Sequence, residues 1–415
     1  MVTSPWRTWL SASVLSPSTA SYVAYLHRHG YSTAIAGAYL RAVGHFARWL
    51  TTERVPLRRL DESVIHRFIT THLPTCRCPG RCPRTVTLVQ AALRHLLRVL
   101  RAEDRIPGRR RGQLPALHHE LDRFTEYLAC VCGLAAKTRT GRRWWVGQFL
   151  ADHFARGPIA LDRLTARDVA AYLARTGARC SPGSAGVCRS ALRSYLRFRA
   201  VQFGDRVEPL LAAMPTVAWW RLASLPPHLT SDEVARFLHA FDRRDASGQR
   251  GYAMARCMLD LGLRGSEVAA LQLEDLQWRD GTVRIGAGKA RRVDVLPLPI
   301  ATGRALVAYL RHGRPPSPSR AVFVRDRAPL DAPMTTEIVR HAMRQAFVRC
   351  GLADRYTGTH VLRRTAATQM RVAGASLKQI ADVLRHRSLD TTRIYTKLDR
   401  PQLATVAAPW PGGAA

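Results

Sequence analysis

The most informative stretch of the sequence is residues 356–397, which read YTGTHVLRRTAATQMRVAGASLKQIADVLRHRSLDTTRIYTK. Its pattern predicts three consecutive short helices. Thr359 is a candidate N-cap for the first helix, and Gly374 is a candidate left-handed residue at its end. His360 and Arg363 are three residues apart, so we expect both side chains on one face of that helix.

The second half of the stretch continues this pattern. Ser376 and Gln379 form an S-x-x-Q capping box ahead of apolar residues, which predicts a second helix that ends near His386. A third helix is predicted to carry Tyr395, with its hydroxyl free to point toward the earlier polar groups. Histidines, arginines and a candidate catalytic tyrosine are therefore concentrated in one segment.

The order T-H-x-L-R-R-T, then L-R-H-R-S, then I-Y-T resembles the C-terminal signature of the tyrosine recombinase (phage integrase) family. The family usually has glycine where this chain has Arg385. We interpret that difference as a change in helix C-cap chemistry, because His386 keeps its distance to Tyr395 along the chain.

Two upstream motifs fit the same family. Gly262 is followed by L-R-G-S-E, which matches the family's first arginine box and contains Arg264. Residues 282–286 and 292–296 alternate apolar and polar side chains around a glycine-containing turn, which predicts a β-hairpin with Lys289 in the turn. The resemblance implies a mostly α fold with a small β-hairpin or sheet (α+β), in which helical SAM-like modules precede a tyrosine recombinase catalytic domain.

The chemistry of these residues suits in-line attack on a phosphodiester, which requires a nucleophile, cationic groups and proton carriers. Tyr395 is the predicted nucleophile, because a phenol forms a covalent phosphotyrosine that keeps the bond energy without ATP. Arg264 and Arg363 present planar forks that match phosphate geometry and remain charged. Since they can replace a metal ion, we expect no cofactor to be required for catalysis.

The resemblance implies roles for four further residues. His360 would assist proton transfer at the tyrosine, Lys289 would protonate the departing 5′ oxygen, and His386 would hydrogen-bond a non-bridging oxygen. Glu267, one turn after Arg264, would orient the catalytic side chains without contacting the DNA itself. Either histidine alone would be better explained as a helix-capping or core residue, but the complete set in family order predicts an intact site.

The composition points to a nucleic-acid partner. The chain has 415 residues and a formal net charge of +34, and the electrostatic field of this charge favours binding of a polyanion. Its 64 basic residues include only four lysines, so single arginines can also reflect genome composition. No apolar run reaches the roughly 20 residues that span a bilayer. The N-terminus makes a poor signal peptide, so we expect a cytoplasmic protein with no membrane partner and reduced cysteines.

Three domains are predicted, at residues 1–112, 113–220 and 221–415. The first two repeat one design at an offset of about one hundred residues, which suggests duplication of a helical module. The second copy resembles the SAM-like core-binding domain of tyrosine recombinases. The first copy would be an added arm that binds either DNA or protein.

Candidate DNA contacts lie on arginine-rich helix faces. A solvated face explains such a stripe about as well as a phosphate backbone does. The candidates are Arg94, Arg98, Arg101, Arg139, Arg142 and Arg143.

A possible structural zinc site lies in the loop HLPTCRCPGRCP, with His72, Cys76, Cys78 and Cys82 as candidate ligands. Zinc accepts three cysteines and one histidine, and such a site would pin a loop between two helices. C-x-C-x3-C is an uncommon zinc spacing, however, and reduced cysteines without a ligand are the simpler interpretation.

We therefore predict a site-specific recombinase or integrase that cleaves and rejoins double-stranded DNA through a 3′-phosphotyrosine link. The resemblance implies a homotetramer, or a mixed tetramer with related recombinases, acting through a Holliday junction. The extra N-terminal module favours a mobile-element enzyme. The alternatives are a type IB topoisomerase-like enzyme that relaxes DNA and a DNA-binding regulator that has the fold without the chemistry.

Overall fold

The protein is mostly helical, as predicted. The computed structural model describes residues 5–79, 82–107, 115–154, 159–214, 227–286 and 293–385. These residues form two compact units, one built from the described parts of 1–108 and 221–415 and the other from the described part of 109–220. No helix in the described ranges is long and apolar enough to cross a membrane.

The N-terminal helices enclose their own apolar core. Phe46, Phe68 and Leu93 are fully buried in it. The Asp61 side chain accepts hydrogen bonds from two backbone amides and thereby caps α4 (Glu62–Arg67), which continues into a π-helical turn at Phe68–His72. The helices are α1 Pro5–Ser11, α2 Thr19–Arg28, α3 Thr33–Thr52, α4 Glu62–Arg67 and α5 Val86–Ala102.

The unit within residues 109–220 has a similar order of elements. A 3₁₀ turn precedes α4 in the first module, at Leu57–Arg59, and precedes the helix that begins at Ala166 in this unit, at Leu161–Arg163. Thr165 caps the helix that begins at Ala166 through a capping box, and Asp61 caps α4 in the first module. The helices are α6 Pro115–Cys130, α7 Ala136–Phe154, α8 Ala166–Arg179, α9 Pro182–Phe203 and α10 Glu208–Ala212.

The C-terminal part packs its helices around α12 (Ala246–Asp260), which is buried over most of its circumference. Met254 and Met258 of this helix are fully buried. The helices are α11 Ser231–His239, α12 Ala246–Asp260, α13 Gly265–Ala270, α14 Ile300–Ala308, α15 Thr336–Arg349, α16 His360–Val372 and α17 Leu377–Val383.

A three-stranded antiparallel sheet, in the order β1-β2-β3, accompanies these helices. The predicted hairpin is present as β2, Thr282–Ile285, and β3, Asp294–Pro297, with Val283 opposite Leu296. The short β1, Leu276–Gln277, pairs with the other side of β2 and was not predicted. Two residues give too little alternation to identify a strand from sequence.

The N-terminal helices contact the C-terminal part within one compact unit. The amide of Leu330 donates to the carbonyl of His29 at 3.0 Å. The His29 ring pairs with Asp331 at 2.9 Å. Gly30 adopts a left-handed φ of +75°, and a Cβ there would lie 2.6 Å from Leu330 Cδ1, so this close approach requires glycine.

Candidate active site

The first arginine box is a helix start. Arg264 precedes α13, and its amide donates to Glu267 Oε2 at 2.7 Å. The Arg264 guanidinium donates to Glu267 Oε1 at 2.6 Å and to the carbonyl of Arg385 at 3.4 Å. Glu267 therefore caps the helix and also fixes the plane of the guanidinium, and about a third of the Arg264 side chain stays exposed (35%).

The second arginine lies on α16. Arg363 is buried, at 5% exposure, and its two terminal nitrogens donate to the carbonyls of Gly262 and Leu384. Gly262 has a left-handed φ of +59°, and a Cβ on it would lie 2.4 Å from Leu384 Cδ2. Only glycine allows this approach without displacement, so the turn before the arginine box and the end of α17 are held together.

Arg385 connects the end of α17 to the arginine box. It adopts a left-handed φ of 54°, the conformation that glycine adopts most easily after a helix. Its side chain donates to the carbonyl of Val383 at 2.8 Å, which agrees with a role in ending the helix. The same guanidinium donates to Glu267 Oε2 at 2.8 Å, and only 6% of the Arg385 side chain is exposed. The sequence did not reveal this second contact.

Glu267 remains ionised despite its burial. Loss of water alone would raise the pKa of Glu267. Favourable interactions outweigh this effect: the charge of Arg385, the backbone hydrogen bond from Arg264 and the charge of Arg264. The net result is a pKa below the ordinary value of 4.5. One carboxylate thus neutralises part of the positive charge gathered at the site.

His360 begins α16 beside the arginines. The residue counts as exposed, yet protein atoms crowd its ring. This partial burial removes water from the ring and is the main cause that lowers the pKa of His360 from 6.5. The positive charges of Arg364, Arg363 and others nearby lower it further. Thr359 makes no side-chain capping bond, contrary to expectation, because its own backbone is helical. The predicted capping box at Ser376 and the left-handed Gly374 are both present.

Three members of the predicted catalytic set, Lys289, His386 and Tyr395, lie outside the described residues. The structure therefore brings together Arg264, Glu267, Arg363 and His360, with Arg385 added to them. The main chain next to His386 is held in place, since the carbonyls of Leu384 and Arg385 accept from the two arginines. This geometry can hold a bound anion against two fixed guanidinium groups.

The predicted DNA-contact arginines have different surroundings. Arg94 and Arg98 are exposed on α5, opposite the buried leucines. Arg101 pairs with Glu62 through both terminal nitrogens, at 3.1 and 2.8 Å. In the other unit, Arg139 is half-exposed, Arg142 donates to Ser194 at 2.8 Å, and Arg143 pairs with Asp122 at 2.8 Å.

The cysteine-containing loop differs from the predicted ligand set in one member. His72, Cys76 and Cys78 converge, and the fourth side chain beside them is His45 of α3. Cys82 instead directs its thiol to the carbonyl of Pro79, with a distance of 3.7 Å between sulfur and oxygen. Sequence spacing could not identify His45, because it lies 27 residues before His72, within an apolar helix face.

Comparison with known proteins places this fold and site in one family. The phage integrase family model matches residues 227–401, and the model of the phage integrase N-terminal SAM-like domain matches residues 121–202. A putative integrase/recombinase, y4rA of Sinorhizobium fredii, is 33% identical over 395 residues, which cover 95% of this chain and 94% of that protein. Tyrosine recombinase XerD of Pseudomonas putida is 30% identical over 309 residues, which cover 71% of this chain and 98% of XerD.

The fold is also shared with a solved structure, that of a lambda integrase dimer bound to a COC′ core site. The match has a TM-score of 0.53 at 19% identity and covers 72% of this chain and 98% of that chain. The chain belongs to the phage integrase family of tyrosine recombinases. It is a site-specific recombinase, and the comparisons do not favour the DNA-relaxing enzyme or the regulator. The match to y4rA covers 95% of this chain and therefore contains most of the N-terminal module, whereas the match to XerD covers 71%.

Proposed function

We propose that this recombinase cleaves DNA by attack of Tyr395 on a phosphodiester, which leaves a 3′-phosphotyrosine link, and then rejoins the strand to a partner duplex. The observation that carries the proposal is the convergence of Arg264 and Arg363 on the adjacent carbonyls of Arg385 and Leu384. These carbonyls lie directly before His386, so the segment that leads to Tyr395 starts beside both arginines.

Each described residue has a defined part in this reaction. Arg264 and Arg363 bind the non-bridging oxygens and stabilise the charge that develops on them. Glu267 and the carbonyls hold the two guanidinium planes, so little reorganisation is needed when the phosphate enters. His360 carries a lowered pKa and is therefore neutral at pH 7, the form that accepts a proton. By family resemblance, Lys289 protonates the 5′ oxygen and His386 binds a non-bridging oxygen.

The adduct with DNA tests the nucleophile. A substrate built from the DNA that flanks the gene, nicked close to the cleavage point, should trap wild-type protein covalently. Tyr395→Phe should form no adduct and still bind the same duplex, because only the nucleophilic oxygen is lost. Persistence of the adduct in the Phe variant would exclude Tyr395 as the nucleophile.

Catalysis is proposed to need no metal ion, because the arginines supply the positive charge. The rate of adduct formation should then be the same with and without added Mg²⁺. A strict dependence on Mg²⁺ at unchanged DNA binding would replace this mechanism with a metal-assisted one. Omission of Mg²⁺ is preferable to EDTA, because EDTA would also extract any zinc ion bound by the cysteine-containing loop.

Strand exchange is proposed to occur in a tetramer on two duplexes, and the enzyme to serve a mobile element. The lambda integrase dimer on its core site supports binding of more than one chain to DNA, and the structural likeness to the Tn1549 transposon integrase supports the mobile element. Mass measurement of complexes with Tyr395→Phe should show four chains on two duplexes. Complexes that never exceed one chain per duplex would favour relaxation without exchange.

A further inference from the structure

We propose that His45, His72, Cys76 and Cys78 bind a structural zinc ion, which fastens the loop before α5 to the middle of α3. The four residues come from three parts of the N-terminal module. His45 lies in α3, His72 ends the π-helical turn that follows α4, and the two cysteines follow in the loop. None of them belongs to the recombinase site.

The four donor atoms already lie at short distances from one another. His45 Nε2 is 3.2 Å from His72 Nε2 and also 3.2 Å from Cys76 Sγ. His72 Nε2 is 3.6 Å from Cys78 Sγ. All four atoms lie within 4.8 Å of one another. Four nitrogen and sulfur donors therefore surround one point.

These distances match those of a zinc tetrahedron. Zinc bonds of about 2.0–2.1 Å to nitrogen and 2.3 Å to sulfur place tetrahedral ligands about 3.3 to 3.8 Å apart. The three short distances, from 3.2 to 3.6 Å, already lie at or near that range. The longer edges, up to 4.8 Å, close with a shift of about 1 Å, which the loop can supply more easily than the helices.

Hydrogen bonds alone account poorly for the cluster. A neutral imidazole nitrogen either donates or accepts one hydrogen bond in its ring plane. His45 Nε2 nevertheless has the His72 nitrogen and the Cys76 sulfur at the same short distance. His45 is fully buried, at 0% exposure, where water cannot serve as a further partner. A cation bound by all four donors satisfies every one of these contacts.

The surroundings orient the ligands in the way that zinc sites require. The Cys78 amide donates to Cys76 Sγ at 3.4 Å, a contact that stabilises a thiolate. Arg84 donates to the carbonyl of Cys76 at 3.0 Å and so fixes the loop from the other side. The Phe68 ring stacks on His72 with centroids 5.3 Å apart and meets His45 edge-on at 5.2 Å. Both imidazoles are thus held by aromatic packing.

Metal content and cobalt spectroscopy test this site on the full-length protein. Protein purified without chelator should contain zinc at a ratio of about one ion per chain, as a single four-ligand site requires. Replacement by Co²⁺ should give the visible absorption of tetrahedral cobalt and a thiolate charge-transfer band. The cobalt spectrum needs no substitution, so it remains informative even if ligand variants fold poorly.

The Cys82→Ser variant is the matched control for Cys76→Ser, because the two thiols share one loop. Cys76→Ser and His45→Gln should each lose bound zinc and lower the melting temperature, whereas Cys82→Ser should keep both at wild-type values. Full-length protein that binds neither zinc nor cobalt overturns the proposal. Loss of zinc in Cys82→Ser with retention in His45→Gln also overturns it, in favour of the ligand set expected from the sequence.

Discussion

Arg385 and Glu267 form a buried ion pair, at 2.8 Å, between residues that are 118 positions apart in the chain. Glu267 binds the Arg264 guanidinium through its other oxygen. The carboxylate therefore links the first arginine box to the end of α17. An arginine at this left-handed position strains the backbone, and the ion pair offsets that strain.

Arg385→Gly should lower the free energy of unfolding by about 2 kcal/mol. Loss of one partner of a buried pair costs about 3–5 kcal/mol, and relief of the left-handed backbone returns about 1–2 kcal/mol. Urea denaturation of the full-length protein measures the difference. Arg54→Gly is the matched control, because Arg54 also has a positive φ, of 51°, but is exposed. Arg54→Gly should leave the free energy of unfolding unchanged or raise it. If Arg385→Gly raised it by the same amount, the ion pair would contribute nothing to stability.

Gly262→Ala should destabilise the protein more than Gly281→Ala. Both glycines have positive φ, of +59° and +60°, so alanine strains the backbone alike at both. Only at Gly262 does the new Cβ also meet Leu384, whereas nothing lies within 4 Å at Gly281. We expect about 1 kcal/mol for Gly281→Ala and at least about 2 kcal/mol for Gly262→Ala, from thermal unfolding. Equal losses would contradict the close packing at Gly262.

Stability should fall in acid partly through Glu267. Its pKa in the folded protein lies below 4.5, so the ionised carboxylate stabilises the fold above pH 4.5. That contribution is lost as the pH falls through the lowered pKa. Glu267→Gln should therefore be less stable than wild type at pH 7, by about 3 kcal/mol, and the gap should narrow in acid. Urea midpoints at several pH values measure this difference in stability. A difference that stays constant with pH would contradict a lowered pKa of Glu267.

Catalysis should persist at a lower pH than an ordinary histidine allows. The pKa of His360 lies below 6.5, so the ring stays neutral as the pH falls past 6.5 and gains its proton only further down. The second-order rate constant of adduct formation, which reports the free enzyme, should show its acid limb below pH 6.5. His360→Gln should remove the limb, and His341→Gln, exposed on α15, should retain it. An acid limb above pH 6.5 would conflict with the lowered pKa.

DNA affinity should depend less on salt after the double substitution of Arg94 and Arg98 by alanine. Both are exposed on α5, and two lost phosphate contacts flatten the slope of log affinity against log salt by about 1.8. Arg101→Ala should change the slope less, because Glu62 already holds both terminal nitrogens of that guanidinium. An unchanged slope in the double variant would contradict DNA contact by these two arginines and favour a protein-binding role for the N-terminal module.

Local patterns predicted most of the fold. The hairpin of β2 and β3, the capping box at Ser376 and the left-handed Gly374 each depend on residues close in sequence, and each is present. Short-range periodicity and capping were sufficient for these elements because backbone hydrogen bonds decide them locally.

Long-range contacts were not accessible from the sequence. His45 looks like a core residue of α3, and only folding brings it to the loop cysteines. The contact of Arg385 with Glu267 joins two motifs that were interpreted separately. Contact between His29 and Asp331 likewise depends on how the N-terminal helices pack. Each of these pairings depends on tertiary packing, which no local pattern encodes.

Besides the Glu267 carboxylate, three main-chain oxygens accept from the guanidinium groups of Arg264 and Arg363, namely those of Arg385, Gly262 and Leu384. Every amino acid supplies the same carbonyl, so replacement of the side chains at 384 or 385 leaves the acceptors chemically unchanged. Insertion or deletion of one residue between α16 and these carbonyls would instead move both oxygens. These two acceptors thus depend on the length of the segment rather than on its residue types, so an arginine at 385, where the family resemblance leads one to expect glycine, still supplies its carbonyl.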